Sequence, residues 1–245
     1  MCGRYRIKDP GKIREIIALV TDGKHTLAEV ASRYNIHPDD FQFLIHGSAE
    51  GPKVETARWG LVPFWEKAPR SKIAPINARS GEAFSKPMFR QAVQKRRCLL
   101  ASDGFYEWPK QELGAVSRIP AFYGLQGERP YFFAGIYEDA VEGIRPPTYS
   151  IFTTTPNSLL LRLPHERMPV ILDTDRAKEW INPGSISEAA FLDFCRPYPE
   201  EKMVSWPVST YVNKPQNQGP ECSEPVTIPK TPPLAKKPDQ VTFDF

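Results

Sequence analysis

Arg96–Trp108, RRCLLASDGFYEW, is the stretch on which the fold turns. It combines apolar and aromatic residues with a Gly inside and Pro109 just beyond, the composition of β structure rather than helix. Similar short runs surround it: RWGLVPFW (58–65), IPAFYGL (119–125), RPYFFAGIYE (129–138), TYSIFTTT (148–155) and RMPVIL (167–172). They follow one another without regular helices between them, so the sheet is predicted to be largely antiparallel and curled into a barrel-like core. QGER (126–129) reads as a hairpin connection. Helices belong to the periphery. Ile13, Ile16, Ile17 and Val20 form one helical stripe after the N-terminal strand. Further helices are predicted near Thr26–Ser32, over Pro87–Lys95, and from a capping box of Ser185 and Glu188. The fold class is α+β, one domain over 2–218, followed by a proline-rich segment, 219–245, that reads as an extended tail.

The 245 residues suffice for one sizeable core. Cys2, Cys98, Cys195 and Cys222 form no CxxC pair, which argues against zinc and against a disulfide framework. No metal or cofactor is expected, because the sequence carries neither a Walker motif nor a dinucleotide fingerprint. Arg4, Arg6 and Lys8 interrupt the start of the chain, and no apolar run approaches membrane-spanning length. A cytosolic, nucleoid-accessible protein with reduced thiols is the expectation.

Net charge is +3, unevenly placed. Lys53–Arg97 holds eleven Lys/Arg against three Asp/Glu, leaving 21 basic and 26 acidic residues elsewhere. Charge alone is most often a solvated face. Here Phe64 and Trp65 are interleaved with Arg58, Lys67, Arg70, Lys72 and Arg79, and that mixture suits single-stranded nucleic acid: rings stack on bases while cations hold phosphates. Trp59 is expected in the core.

Cys2 becomes the first residue once Met1 is removed, and then carries an α-amine beside its thiol. Three polar residues stand in apolar surroundings: Asn77 in PINARS, Glu107 among Phe105, Tyr106 and Trp108, and His165 before MPVIL. Turn-forming Asn and satisfied His are the bland readings; a carboxylate among aromatics is harder to dismiss, because burial raises its pKa toward general acid/base range. Amine, thiol, Asn, Glu and His support two chemistries. One is acyl transfer by an N-terminal nucleophile. The other is carbonyl capture, in which the amine forms an imine and the thiol closes a five-membered thiazolidine. Abasic single-stranded DNA offers such an aldehyde.

MCGRY, RYNIHP (33–38), WGLVPFW (59–65), INAR (76–79), SDGFYEW (102–108) and HERMPVIL (165–172), with SWPVS (205–209) and NQG (217–219), resemble in order and spacing the SOS-response-associated peptidase (SRAP) family. The resemblance implies a single domain that captures abasic sites in single-stranded DNA, ss/ds junctions included, through a thiazolidine at Cys2. It implies catalytic roles for Cys2, Asn77, Glu107 and His165. It also implies DNA contacts from Arg4, Asn35, Pro38, Phe64, Trp65 and Arg79, the two aromatics acting as a wedge. A monomer that removes its own Met1 is expected. His37 stands where family members usually carry a small residue, and Gly81 where they often carry Glu. An N-terminal-nucleophile amidohydrolase and a non-catalytic reader of single-stranded DNA are the competing classes.

Overall fold

The computed structural model describes residues 2–25, 27, 29–108, 119–162 and 165–227. Its strands are β1 (Tyr5–Ile7), β2 (Arg33–Ile36), β3 (Phe41–Ser48), β4 (Gly51–Trp59), β5 (Asn77–Arg79), β6 (Arg97–Ser102) and β7 (Gly104–Glu107), then β8 (Ala121–Leu125), β9 (Tyr131–Glu138), β10 (Thr148–Thr154), β11 (Met168–Pro169), β12 (Ile171–Leu172) and β13 (Met203–Pro207). The α-helices are α1 (Pro10–Val20), α2 (Pro87–Lys95), α3 (Ser158–Leu161), α4 (Thr174–Trp180) and α5 (Glu188–Phe194).

Two sheets result, and Arg96–Trp108 belongs to both. Its first half, β6, pairs with β3 and β9; its second half, β7, pairs with β1 and β8. The corner is Asp103. Its carboxylate accepts from Arg6 Nε (2.7 Å) and from the backbone N–H of Lys8 (2.6 Å), so a buried charge is paired where the chain changes sheet. Gly104 fits because the Phe122 ring lies where a Cβ would stand, 2.1 Å from its Cε2 and Cζ.

In the larger sheet β3, β4, β10, β9 and β6 pair in a closed ring. Most of its pairings are antiparallel; β10 runs parallel to β4 and β5. The smaller sheet, ordered β13-β8-β7-β1-β2, is antiparallel throughout. Aromatic rings join the two: Tyr5 meets Trp59 and Phe133 edge-on at 5.2 and 5.5 Å, and Phe105 meets Phe133 at 6.2 Å. Trp59 is in the core as expected. This is the α+β single domain that the alternation of short strands implied.

α1 buries the four residues of its stripe behind an Asp9 cap, and α2 begins on Pro87. Three local expectations are corrected. QGER does not close a hairpin: β8 lies in the smaller sheet and β9 in the larger, and Gly127 and Glu128 take positive φ while Glu128 holds Lys8. The cap of α5 is Ser187, whose side chain accepts from Ala190 N–H, rather than Ser185. Of the segment Thr26–Ser32, positions 26 and 28 lie outside the described residues and the rest is not helical. Of the proline-rich end, the described part to Thr227 lies on the domain: Cys222 is buried, and Val208 bridges Pro225.

Candidate active site

β1 lies between β7 and the edge strand β2 in the smaller sheet, with Tyr5 opposite Phe105 on one side and Ile36 on the other. Antiparallel register then carries residues 2–4 along the end of β7, and Tyr106 N–H donates to Arg4 O. Cys2 therefore arrives beside Glu107. Both are buried, at 1% and 2% exposure, and the Glu107 charge adds to burial in pushing the Cys2 thiol up. A raised thiol stays protonated at neutral pH.

His165 precedes β11, which pairs with β10 at Thr153–Thr154. β5 lies on the same end of β10, with Arg79 opposite Thr153. One strand end thus gathers Asn77, Arg79, His165 and Arg167. His165 Nδ1 is 3.7 Å from Glu107 Oε2, both side chains being nearly inaccessible. The Asn77 amide presents Nδ2 and Oδ1 that are buried without a hydrogen-bond partner among the described residues. Buried amide groups in that state call for a ligand or water that completes them.

Burial pushes the Glu107 carboxyl up from 4.5 to about 6, against an opposing field from Arg167. A carboxyl raised in this way stabilises the fold only while protonated: the contribution is full below pH 4.5 and is lost as pH climbs through about 6. The shift corresponds to about 2 kcal/mol. Glu107→Gln, which keeps the shape without the charge, is expected to raise Tm by roughly 5 °C at pH 8 and hardly at all at pH 4.5. Melting curves at the two pH values check this. An equal Tm change at both would show that no buried charge is involved.

Arg167, in the stretch HERMPVIL, was not singled out in the sequence. It is half-buried, Nη1 donates to Thr153 Oγ1 (3.4 Å), and burial together with the facing Arg79 charge lowers its pKa. Arg79 is partly neutralised by Glu82 at 3.2 Å. Two guanidinium groups on one rim form a place for an anion. The sequence signal was its position two residues from His165, in the segment that leads into β11.

Phe64 and Trp65 are 48% and 52% exposed and meet edge to face at 5.0 Å. Aromatic rings left in water are available for stacking. Pro38 lines an open cleft of about 370 Å³ with Gly3, Arg4, Trp108 and Asn213. Asn35, expected among the DNA contacts, is fully buried, and its amide Nδ2 faces the carbonyls of Val212, Lys214 and Asn217 at 3.0–3.1 Å. Arg4 directs Nη1 to Asn35 Oδ1 (2.8 Å) and Val212 O (3.0 Å), and Nη2 to Asn213 O (3.4 Å), which commits three of its five N–H donors inside the protein.

Comparison with known proteins gives a consistent result. The family model described as SOS response associated peptidase (SRAP) matches residues 1–215. The abasic site processing protein YoqW of Bacillus subtilis is 35% identical over 227 residues, 91% of this chain and 99% of its own. The abasic site processing protein HMCES of Gallus gallus is 32% identical over 70% of this chain and 57% of its own. Among solved structures, a Bacteroides thetaiotaomicron protein superposes with a TM-score of 0.75 at 26% identity, covering 92% of this chain and 100% of that one.

Proposed function

The chain belongs to the SOS response associated peptidase family, and from that premise we propose that it processes abasic sites by capturing them, in single-stranded DNA, as a thiazolidine on Cys2. The observation that carries the proposal is the enclosure of Cys2 beside Glu107, with His165 3.7 Å from the same carboxylate.

Removal of Met1 exposes the α-amine, whose ordinary pKa lies near 8, so a useful fraction is neutral at physiological pH. The neutral amine attacks C1′ of the ring-opened deoxyribose and forms a carbinolamine. Loss of its hydroxyl as water leaves an imine. The Cys2 sulfur then bonds to the imine carbon, the S–H proton passes to nitrogen, and the ring closes; one water is released overall. Glu107 accepts a proton as the sugar ring opens and returns one to the departing hydroxyl. His165 holds the sugar oxygen, and the Asn77 amide, buried without a hydrogen-bond partner among the described residues, orients the amine and the sugar.

Burial beside Glu107 keeps the resting thiol protonated, so in either chemistry the sulfur must give up its proton as it attacks. Thiazolidine closure uses the thiol proton.

Arg79 and Arg167 hold phosphates next to the lesion, and Phe64 and Trp65 stack on a neighbouring base. Replacing both arginines by alanine is expected to flatten the plot of log affinity for undamaged single strand against log salt by about 0.7 per lost phosphate contact. Fluorescence anisotropy between 50 and 200 mM salt measures it; an unchanged slope removes the two residues from the DNA path.

The proposal itself is tested on a denaturing gel. Purified protein, shown by intact mass to lack Met1, is mixed with a single strand carrying one abasic site. A heat-stable shifted band that requires the lesion is expected. Its absence returns the amidohydrolase reading to first place.

A further inference from the structure

SWPVS and NQG, near the end of the domain, carry none of the chemistry above. The structure gives them a task. Beyond β13 the chain forms a strap, Thr210–Gln218, along the outer edge of β2, with Asn213 on the wall of the cleft that Gly3 and Arg4 line. Val212 is buried in it, while Tyr211, Asn213, Lys214, Pro215 and Gln216 face water. Polar contacts therefore hold its middle in place.

Asn35 supplies three of them, its buried Nδ2 facing the carbonyls of Val212, Lys214 and Asn217. Gln218 completes the tie from the other side. Its Oε1 accepts from Tyr34 N–H (3.0 Å) and Asn35 N–H (3.2 Å), and its Nε2 donates to Asn35 O (3.0 Å). A side chain thus substitutes for the missing neighbour of β2. Gly219 follows at φ 139, a conformation that favours glycine and turns the chain away from the edge.

The strap in turn grips both halves of the site. Val212 and Asn213 carbonyls receive the Arg4 guanidinium, two residues from Cys2. The Asn213 side chain receives Trp108 Nε1–H at 2.7 Å, one residue from Glu107. The Arg4 guanidinium also lies 6.0 Å above the Trp108 ring. One loop thereby fixes the nucleophile strand and the carboxylate strand together.

We propose that Asn35 and Gln218 are positioning residues which, through this strap, hold Cys2 in register with Glu107. The proposal rests on the capture reading above. Misplacement of a nucleophile by about 1 Å can reduce a rate by about 100-fold, so a partial release of the strap has a measurable effect.

The test is single-turnover capture of an abasic single strand by the full chain, with maximal rate and half-saturating DNA concentration determined separately. Asn35→Ala is expected to lower the maximal rate by about 10-fold and Gln218→Ala by about threefold, each with half-saturation within twofold of wild type. Amide exchange of residues 3–7, followed by mass spectrometry, is expected to accelerate in both. A maximal rate within twofold of wild type in a folded Asn35→Ala protein overturns the proposal. So does a rise in half-saturation as large as the loss of rate, which would make the strap a DNA-binding element. If Asn35→Ala does not fold, Gln218→Ala, altered on an exposed side chain, decides alone by the same criteria. Wild-type protein that forms no adduct refutes the capture reading instead, and the exchange data still decide whether the tie holds the Cys2 strand.

Discussion

Cys2→Ala is expected to eliminate the heat-stable adduct with abasic DNA while leaving affinity for an undamaged single strand within about twofold, because phosphate contacts carry that affinity and none comes from Cys2. The variant retains an α-amine at the same place, so it still condenses with the aldehyde. Without sulfur the product stops at the imine, which water reverses and heat destroys. Borohydride in the reaction reduces the imine and restores a band; that band is the signature that the amine acts first and the thiol second. Cys2→Ser sharpens the distinction, since its hydroxyl is a poorer nucleophile and its closed ring opens readily. Cys2 is buried, so the alanine variant loses packing worth about 1 kcal/mol, and a melting curve shows that the fold survives. A heat-stable band from Cys2→Ala without borohydride would place the link at another nucleophile. Loss of undamaged-strand binding in parallel would mean that Cys2 supports the surface rather than the reaction.

The same residue shows how far the sequence could be read. Cys2, Asn77, Glu107 and His165 were legible one at a time because each breaks a local expectation: a thiol at the start, polar groups inside apolar runs. That they meet depends on register. Tyr5 opposite Phe105 brings Cys2 to Glu107, and neither residue type announces that pairing. The antiparallel strands and α1 were legible from periodicity. The division of Arg96–Trp108 between two sheets was not, because Asp103 reads as a turn residue until Arg6 and the Lys8 amide are found on its carboxylate. The structural ties of Arg4 and Asn35 were not legible for a related reason. An arginine and an asparagine near a site suggest phosphate and base, yet their partners lie 177 and more residues away on the strap, a separation that local pattern cannot bridge. Arg167 was overlooked because its significance lies in facing Arg79, across β10 from a strand nearly ninety residues earlier.

Glu107→Gln is expected to slow capture by about 100-fold at pH 7.5, the lower end of what a positioned proton-transfer group contributes. The pH dependence identifies the cause. In wild type the rate should climb through two limbs. The lower falls near pH 6, where burial has moved the carboxyl and where Glu107 becomes able to accept the proton released on sugar-ring opening. The upper falls near 8, where the Cys2 amine becomes neutral. Glutamine keeps the size and the hydrogen-bonding oxygen but cannot exchange a proton, so the lower limb should vanish and the upper persist. A role in holding the fold alone would lower the rate at every pH and keep both limbs. The thermal measurement points the opposite way, since the same substitution relieves a buried charge and raises Tm above pH 6. Slower chemistry in a more stable protein is therefore the combined expectation, and it separates catalysis from damage. If the variant captures DNA at the wild-type rate across pH 5 to 9, Glu107 transfers no proton, and the work of ring opening passes to His165, whose Nδ1 lies 3.7 Å from the carboxylate.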